Sequence, residues 1–366
     1  MITLDSEVDS YISLNNSRYS YFAGNNYLGL ANHPDFIKAA TGALQKYGIN
    51  FAASRRTTGT SDIHLELERT LAGYKEKDDA VVFASGYLGN RLLLEALRDH
   101  YSAVFADAQA HPSIRDGIPN DVAAISFYEH CNSGSLENLL KRNPHHKPLI
   151  ITDGVFALTG EIAPLDRIAA VASPYGALIV VDDAHATGIL GKTGKGTPEH
   201  FGLGKADNIF QSETMSKAMG VYGGFIAASH DVISAIRQKS SFYGASTALP
   251  PPLVAAGSAS VKYIAAHPEL RTRTLENARM VREGIISAGF ETSDSITPII
   301  PVYLGDRQKA RALSAFLKEN LIIVPAVDYP VKTGRYIVRI TVSANHSPEQ
   351  IENLLAVLKL WRDRHD

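Results

Sequence analysis

Between residues 80 and 230 the chain alternates short apolar runs with helical stretches or turns, and few folds accept that pattern. The runs are 80–84, 103–106, 149–152, 177–181, 209–210 and 225–228, with helical stretches at 89–98, 135–142 and 164–173. Continuously apolar strands are buried on both faces, and strands that alternate with helices form a mostly parallel sheet. The expected fold class is therefore α/β, a central sheet covered by helices. Beyond 230 the spacing predicts helices at 232–238, 251–266 and 270–288, then a strand at 297–304, a helix at 308–318, strands at 321–324 and 336–341, and a last helix at 348–362 capped by Ser347. Upstream, residues 1–22 read as a polar lead-in, and helices are expected at 36–47 and at 62–75, with Asp62 as cap. The division follows as 1–34, a lead-in with a substrate-contacting loop; 35–250, the large domain; and 251–366, a smaller α/β domain with its linking helix.

Composition narrows the function. The chain has 366 residues, 45% hydrophobic and 20% charged, an ordinary globular balance. A net charge of −2 gives no bulk attraction to nucleic acid or anionic lipid. The single cysteine, Cys131, excludes an internal disulfide framework and a cysteine-rich metal centre, and no metal is expected. The N-terminus lacks the basic and apolar regions of a signal peptide, and no apolar run reaches the roughly 18 residues of a membrane span. A cytoplasmic protein is the expectation.

In sheets of this class ligands bind beyond the carboxyl ends of the strands. Those positions hold Ser85-Gly86-Tyr87, then Asp107 and His111, then Asp153-Gly154, then Asp182 with His185, then Thr214-Met215-Ser216-Lys217. Singly, each has an ordinary structural reading: Asp caps helices, His packs in cores, and a loop lysine is usually solvated. Their recurrence at five successive strand ends argues for one site. Arg55 and Arg56, among hydroxyls and glycine, are either an anion site or a solvated loop.

A lysine between two buried strands is a good amine nucleophile, able to form a Schiff base with an aldehyde cofactor. Pyridoxal phosphate needs such a lysine, a carboxylate beside its pyridine nitrogen, backbone N–H groups and hydroxyls for its phosphate, and a flat face for its ring. Lys217, Asp182, the Ser85-Gly86-Tyr87 turn and His111 could supply all four, and His185 could bond the ring hydroxyl.

At this point the sequence resembles the α-oxoamine synthases, fold-type I pyridoxal-phosphate enzymes that include 8-amino-7-oxononanoate synthase, glycine C-acetyltransferase, serine palmitoyltransferase and 5-aminolevulinate synthase. The resemblance covers residues 22–361. It rests on the 25–34 run, Asp153-Gly154-Val155-Phe156 with 160–165, the 182–188 run, the 214–220 run, Ser246-Thr247-Ala248-Leu249-Pro250-Pro251, and 339–346. It implies a decarboxylative condensation of a small amino acid (Ala, Gly or Ser) with an acyl-CoA, as in biotin biosynthesis, in a homodimer with the active site at the interface. Lys217 would hold the cofactor and act as acid and base at the substrate α-carbon. Asp182 would face the pyridine nitrogen, His185 the ring oxygen and His111 the ring face. Ser85, Gly86, Tyr87 and Thr214 would surround the cofactor, and Asn25 and Arg339 would hold the substrate carboxylate.

The sequence departs from that pattern in three places. The lead-in before Asn25 is short. Ala157 stands where many members carry Ser. The 327–334 loop matches the biotin-pathway enzymes poorly and glycine C-acetyltransferase somewhat better. Three rival readings are a transaminase, a non-catalytic subunit and a dinucleotide-dependent oxidoreductase. Transaminases commonly carry Tyr at the position of His185, Lys217 argues against a subunit that has lost its lysine, and no glycine-rich dinucleotide fingerprint opens a first strand–helix unit.

Overall fold

A computed structural model describes residues 3–144, 146–327 and 334–365. The 328–333 segment of the loop noted above lies outside these residues. The chain packs as two compact units. One is His33–Val155 with Ile162–His267; the other is Met1–Asn32, Phe156–Glu161 and Pro268–Asp366.

The lead-in carries more structure than its polar composition suggests. Strands β1 (Tyr11–Leu14) and β2 (Ser17–Tyr21) form an antiparallel hairpin, turned at Asn15 and Asn16 with φ of 50° and 62°. Asn tolerates this left-handed region better than most residues. Only alternate side chains of β1 are buried, which explains why no continuous apolar run announces it.

The larger unit holds a seven-stranded sheet. In chain order its strands are β3 (Asp79–Phe83), β4 (Ala103–Asp107), β5 (Ala124–Tyr128), β6 (Pro148–Asp153), β7 (Leu178–Asp182), β8 (Ile209–Thr214) and β9 (Gly224–Ala228). Their spatial order is β3-β9-β8-β7-β6-β4-β5, parallel from β8 to β5, with β9 antiparallel to both neighbours. β3 therefore points the same way as β8, and the carboxyl ends of β3, β8, β7, β6 and β4 share one edge. β5 was not legible in the sequence. It is the edge strand, with Ile125 and Phe127 44% and 46% exposed, so it lacks the continuous burial of its neighbours.

Helix Pro251–Ala266, placed by the sequence division with the C-terminal domain, packs on Pro34–Tyr47 and Asp62–Lys75 in the larger unit. Ser61, rather than Asp62, occupies the cap position of Asp62–Lys75. The two-arginine loop resolves as structure. Arg55 makes a bidentate bond to Glu68 at 2.9 and 3.0 Å, both side chains at most 5% exposed.

The smaller unit pairs β1 and β2 with β11 (Ile322–Ile323), and builds a second sheet from β10 (Ile299–Leu304), β13 (Tyr336–Thr341) and β12 (Ala326–Val327). Helices Pro268–Ser287, Arg307–Glu319 and Pro348–His365 bury Val281, Ile285, Leu313, Leu317, Leu354 and Trp361 against these strands. Ser347 caps the last helix reciprocally: its hydroxyl accepts from Gln350 N–H, and Gln350 Oε1 accepts from Ser347 N–H. No helix among the described residues is long and apolar enough to cross a membrane.

His64 in the larger unit and His346 in the smaller are buried and neutral. His64 Nε2 faces the Leu249 carbonyl, and His346 Nδ1 accepts the Ser343 N–H. Burial lowers both pKa values to about 4. A folded value below the unfolded ~6.5 means stability that is complete above that pH and is lost as pH falls toward 4. Denaturant titrations at pH 7 and 4.5 are expected to show the loss, each histidine adding up to about 1.4 kcal/mol per pH unit within the window. His64→Gln and His346→Gln should each flatten the slope; unchanged slopes would contradict the assignment.

Candidate active site

Strand register brings the chemical residues together in the larger unit. Phe83 and Thr214 both pair with Gly224, Ser212 pairs with Asp182, and Asp182 pairs with Asp153. The residues that follow β3, β8, β7 and β6 thus start from one line. Lys217 sits in the 215–223 turn between β8 and β9. That turn is pinned by Met215 N–H to the Gly223 carbonyl at 2.9 Å and Val221 N–H to the Met215 carbonyl at 3.0 Å. Its amine lies 2.9 Å from His185 Nε2.

Asp182 is 7% exposed and well supplied with donors. Oδ2 accepts from Asn90 Nδ2 at 2.7 Å, with Ser113 Oγ 3.4 Å away, while Oδ1 accepts from Ala184 N–H at 3.1 Å. Asp153 is fully buried on the adjacent strand, and Oδ2 accepts the His111 N–H at 2.9 Å. Burial first, then the charge of Asp182, pushes the Asp153 carboxyl well above its usual value.

His111 is fixed in orientation and tautomer. Ser113 N–H donates to Nδ1 at 3.2 Å, and Ser113 Oγ lies 2.7 Å from the same atom, so Nδ1 is the acceptor nitrogen. Burial lowers its pKa against the pull of Asp182, which favours a neutral, flat ring. Tyr87 meets it edge-on at 6.0 Å and 74°, and the Tyr87 hydroxyl donates to Asp116.

Ser85, Gly86 and Tyr87 lead into helix Gly89–Ala96, with Ser85 Oγ accepting the Tyr87 N–H. A Cβ on Gly86 would lie 2.7 Å from Thr214 Cβ and 2.9 Å from its hydroxyl. Only glycine lets this helix start approach Thr214 so closely, and the result is a small cradle of N–H groups and hydroxyls. Of the residues singled out in the sequence, Lys217, Asp182, His185, His111, Ser85, Gly86, Tyr87 and Thr214 all belong to this edge.

Asn25 and Arg339 belong to the smaller unit and meet each other. Arg339 Nη2 donates to Asn25 Oδ1 at 3.0 Å, Nε to the Ala157 carbonyl at 2.7 Å and Nη1 to Thr341 Oγ1 at 2.9 Å. Tyr27, whose phenol burial raises to about 12, also donates to Asn25 Oδ1, at 3.1 Å. Two donors at Oδ1 leave the Asn25 Nδ2 hydrogens for another acceptor. Ala157 contributes through its backbone, so replacing Ser there costs this bond nothing.

Sequence reasoning missed the supporting residues. Asn90 and Ser113 brace Asp182. Behind Thr214, Lys75 Nζ lies 2.5 Å from Glu213 Oε1 and 2.5 Å from the Lys195 carbonyl, and Thr187 donates to the same Glu213 oxygen at 2.6 Å. Asp183 accepts from Thr197 and Gln211. The available signal was a charged residue inside a buried strand, Glu213, which demands a partner. A cleft of about 680 Å³ in this unit is lined by residues such as Lys75, Lys77, Gly204, Gln211 and Ser229, and Lys217, Asp182, His185 and His111 do not line it. Removing one member of a buried ion pair costs about 3–5 kcal/mol, whereas replacing both with apolar groups is often neutral. Lys75→Met is expected to lose that much in denaturant unfolding, and Lys75→Met with Glu213→Leu to recover most of it. A single-variant loss under about 1 kcal/mol would contradict the pairing.

Comparisons with known proteins place the chain in a family. Residues 20–358 match the family "Aminotransferase class I and II". The chain is 39% identical to the 8-amino-7-oxononanoate synthase of Alkaliphilus metalliredigens over 97% of its own length and 91% of that protein. A solved structure of serine palmitoyltransferase from S. paucimobilis, with a bound PLP–myriocin aldimine, superposes with a TM-score of 0.93 at 29% identity, covering 100% of this chain and 92% of that one. The 8-amino-7-oxononanoate synthase of Francisella tularensis gives 0.81 at 26% identity, covering 94% and 98%.

Proposed function

The chain belongs to the class I and II aminotransferase family, in its α-oxoamine synthase branch, and from that premise we propose that it joins L-alanine to a pimeloyl thioester as an 8-amino-7-oxononanoate synthase. The carrying observation is the Lys217, Asp182 and His111 arrangement at one sheet edge. The product's name fixes the chemistry. Its amino-bearing carbon and methyl group come from alanine, its oxo carbon comes from the acyl carbonyl, and coenzyme A and carbon dioxide leave. The cofactor is pyridoxal phosphate, and the residues present fit it. Lys217 offers the amine, Asp182 the carboxylate, His111 the flat face, and Ser85, Gly86, Tyr87 and Thr214 the cradle in which glycine is required.

The bound cofactor supplies an electron sink for the pair left when a proton is removed from the amino acid α-carbon. Lys217 would hold the group, and its amine would move the proton at the amino acid α-carbon. Asp182, held by the Asn90 and Ala184 donors, would be the carboxylate partner of the pyridine nitrogen. His185 adjoins Lys217 and would face the ring oxygen. Arg339 and Asn25 hold the amino acid carboxylate: the guanidinium is tethered in a fixed plane, and a fork of that kind fits a carboxylate. The working form is a cytoplasmic homodimer.

Serine with a palmitoyl thioester is the second reading, favoured by the likeness to the S. paucimobilis structure. Gly, L-Ala and L-Ser, crossed with acetyl-, pimeloyl- and palmitoyl-CoA, separate them by chromatographic assay of free coenzyme A. The expected result is release with L-Ala and pimeloyl-CoA, falling on the order of a thousandfold or more in Lys217→Ala. Release with L-Ser and palmitoyl-CoA would select the second reading, and release with no pair would overturn both.

A further inference from the structure

The only cysteine of the chain, Cys131, adjoins a histidine and faces a buried aspartate, outside the site described above. Asp107, at the end of β4, is fully buried. Its Oδ1 accepts the Gln109 N–H at 2.8 Å and faces His130 Nδ1 at 2.9 Å, and its Oδ2 accepts the Cys131 N–H at 2.8 Å. A carboxylate that accepts two backbone N–H groups accepts from the imidazole too, so the His130 proton resides on Nδ1. Nε2 is then the lone-pair nitrogen, and it lies 3.8 Å from Cys131 Sγ. Nucleophile, base and orienting carboxylate stand in the order that activates a thiol. Cys131 is half-buried with φ of 52°, a left-handed conformation uncommon outside glycine, and the His130 side chain is 17% exposed, so a small reagent can reach both.

The geometry points to Cys131 as a reactive thiol that exchanges with low-molecular-weight disulfides. His130 Nε2 takes the thiol proton. The thiolate attacks one sulfur of the small disulfide, whose S–S bond breaks as a new one forms to Sγ. The other half leaves as a thiolate and collects the proton from His130. A zinc site fits less well. The candidate ligand atoms lie within 4.8 Å of one another, but Nδ1 is taken by Asp107, and Sγ with Nε2 alone does not fill a tetrahedral shell.

Other groups face this corner. Tyr128 precedes it on β5, Asp153 lies on the strand beyond Asp107, and Arg115 donates to the Ala108 carbonyl from helix Pro112–Gly117. Burial holds the Tyr128 phenol far above its usual value, so it stays neutral in the assay range.

The test follows the reaction of the native holoprotein with 5,5′-dithiobis(2-nitrobenzoate) from pH 5.5 to 9, with mass analysis after oxidised glutathione. An ordinary thiol has its midpoint at about 8.5. A midpoint at about 7 would raise the thiolate fraction at pH 7 about sixteenfold, but lower nucleophilicity returns much of that, leaving about three- to fourfold in rate. The midpoint is therefore the deciding readout. Expected are a native midpoint at least about one unit below that of the guanidinium-unfolded chain, one glutathione adduct on Cys131, and return of the midpoint to the ordinary range in His130→Gln. Asp107→Asn should shift it the same way, and His130→Gln stands alone if that variant does not fold. Equal midpoints in native and unfolded chains, no effect of His130→Gln, or protection of the thiol by one equivalent of zinc would overturn the proposal.

Discussion

Two carboxylates end adjacent strands of one sheet, and burial allows only one of them its charge cheaply. Asp153 and Asp182 are register partners, and the surroundings decide between them. Asp182 receives donors from Asn90 and Ala184; Asp153 receives one backbone N–H and is pushed well above the usual carboxyl range. The same contacts orient the rest. The N–H that Asp153 accepts belongs to His111, and the serine that braces Asp182 also fixes the His111 ring. A carboxylate and a flat ring are thus set by one hydrogen-bonded group of residues, and the Lys217 amine stands beside His185 on the same sheet edge.

The second buried layer acts on position rather than charge. Glu213 is the residue before Thr214, two before Met215, where the turn begins, and four before Lys217. Its bonds to Lys75 and Thr187 tie the end of β8 to helix Asp62–Lys75 and to the segment after β7. Buried ion pairs add little to stability against an apolar replacement, but they are demanding about geometry. Here that geometry fixes where the β8–β9 turn begins.

Much of this was legible in the sequence for a physical reason. Strands buried on both faces need continuous apolar runs, so β3, β4, β6, β7 and β9 announced themselves, and the residues after them gave the site edge. β1 and β5 did not, because each exposes alternate side chains, as with Ile125 and Phe127. Asn90, Ser113 and Lys75 were missed because their partners lie 92, 69 and 138 residues away, and no local pattern encodes such pairings. Arg55 shows the converse: a loop arginine open to an anion-binding reading is occupied by Glu68. At Ala157 the sequence pointed to a missing hydroxyl, while the structure uses the carbonyl that every residue has.

The central claim is that the Lys217 amine, beside His185 and on the sheet edge of Asp182, is the one that takes the cofactor aldehyde. Borohydride reduction of the protein loaded with pyridoxal phosphate, followed by peptide mass mapping, tests it directly. The account predicts one pyridoxyl-phosphate adduct, on the peptide containing Lys217. An adduct on Lys75 or another lysine, or none at saturating cofactor, would contradict it.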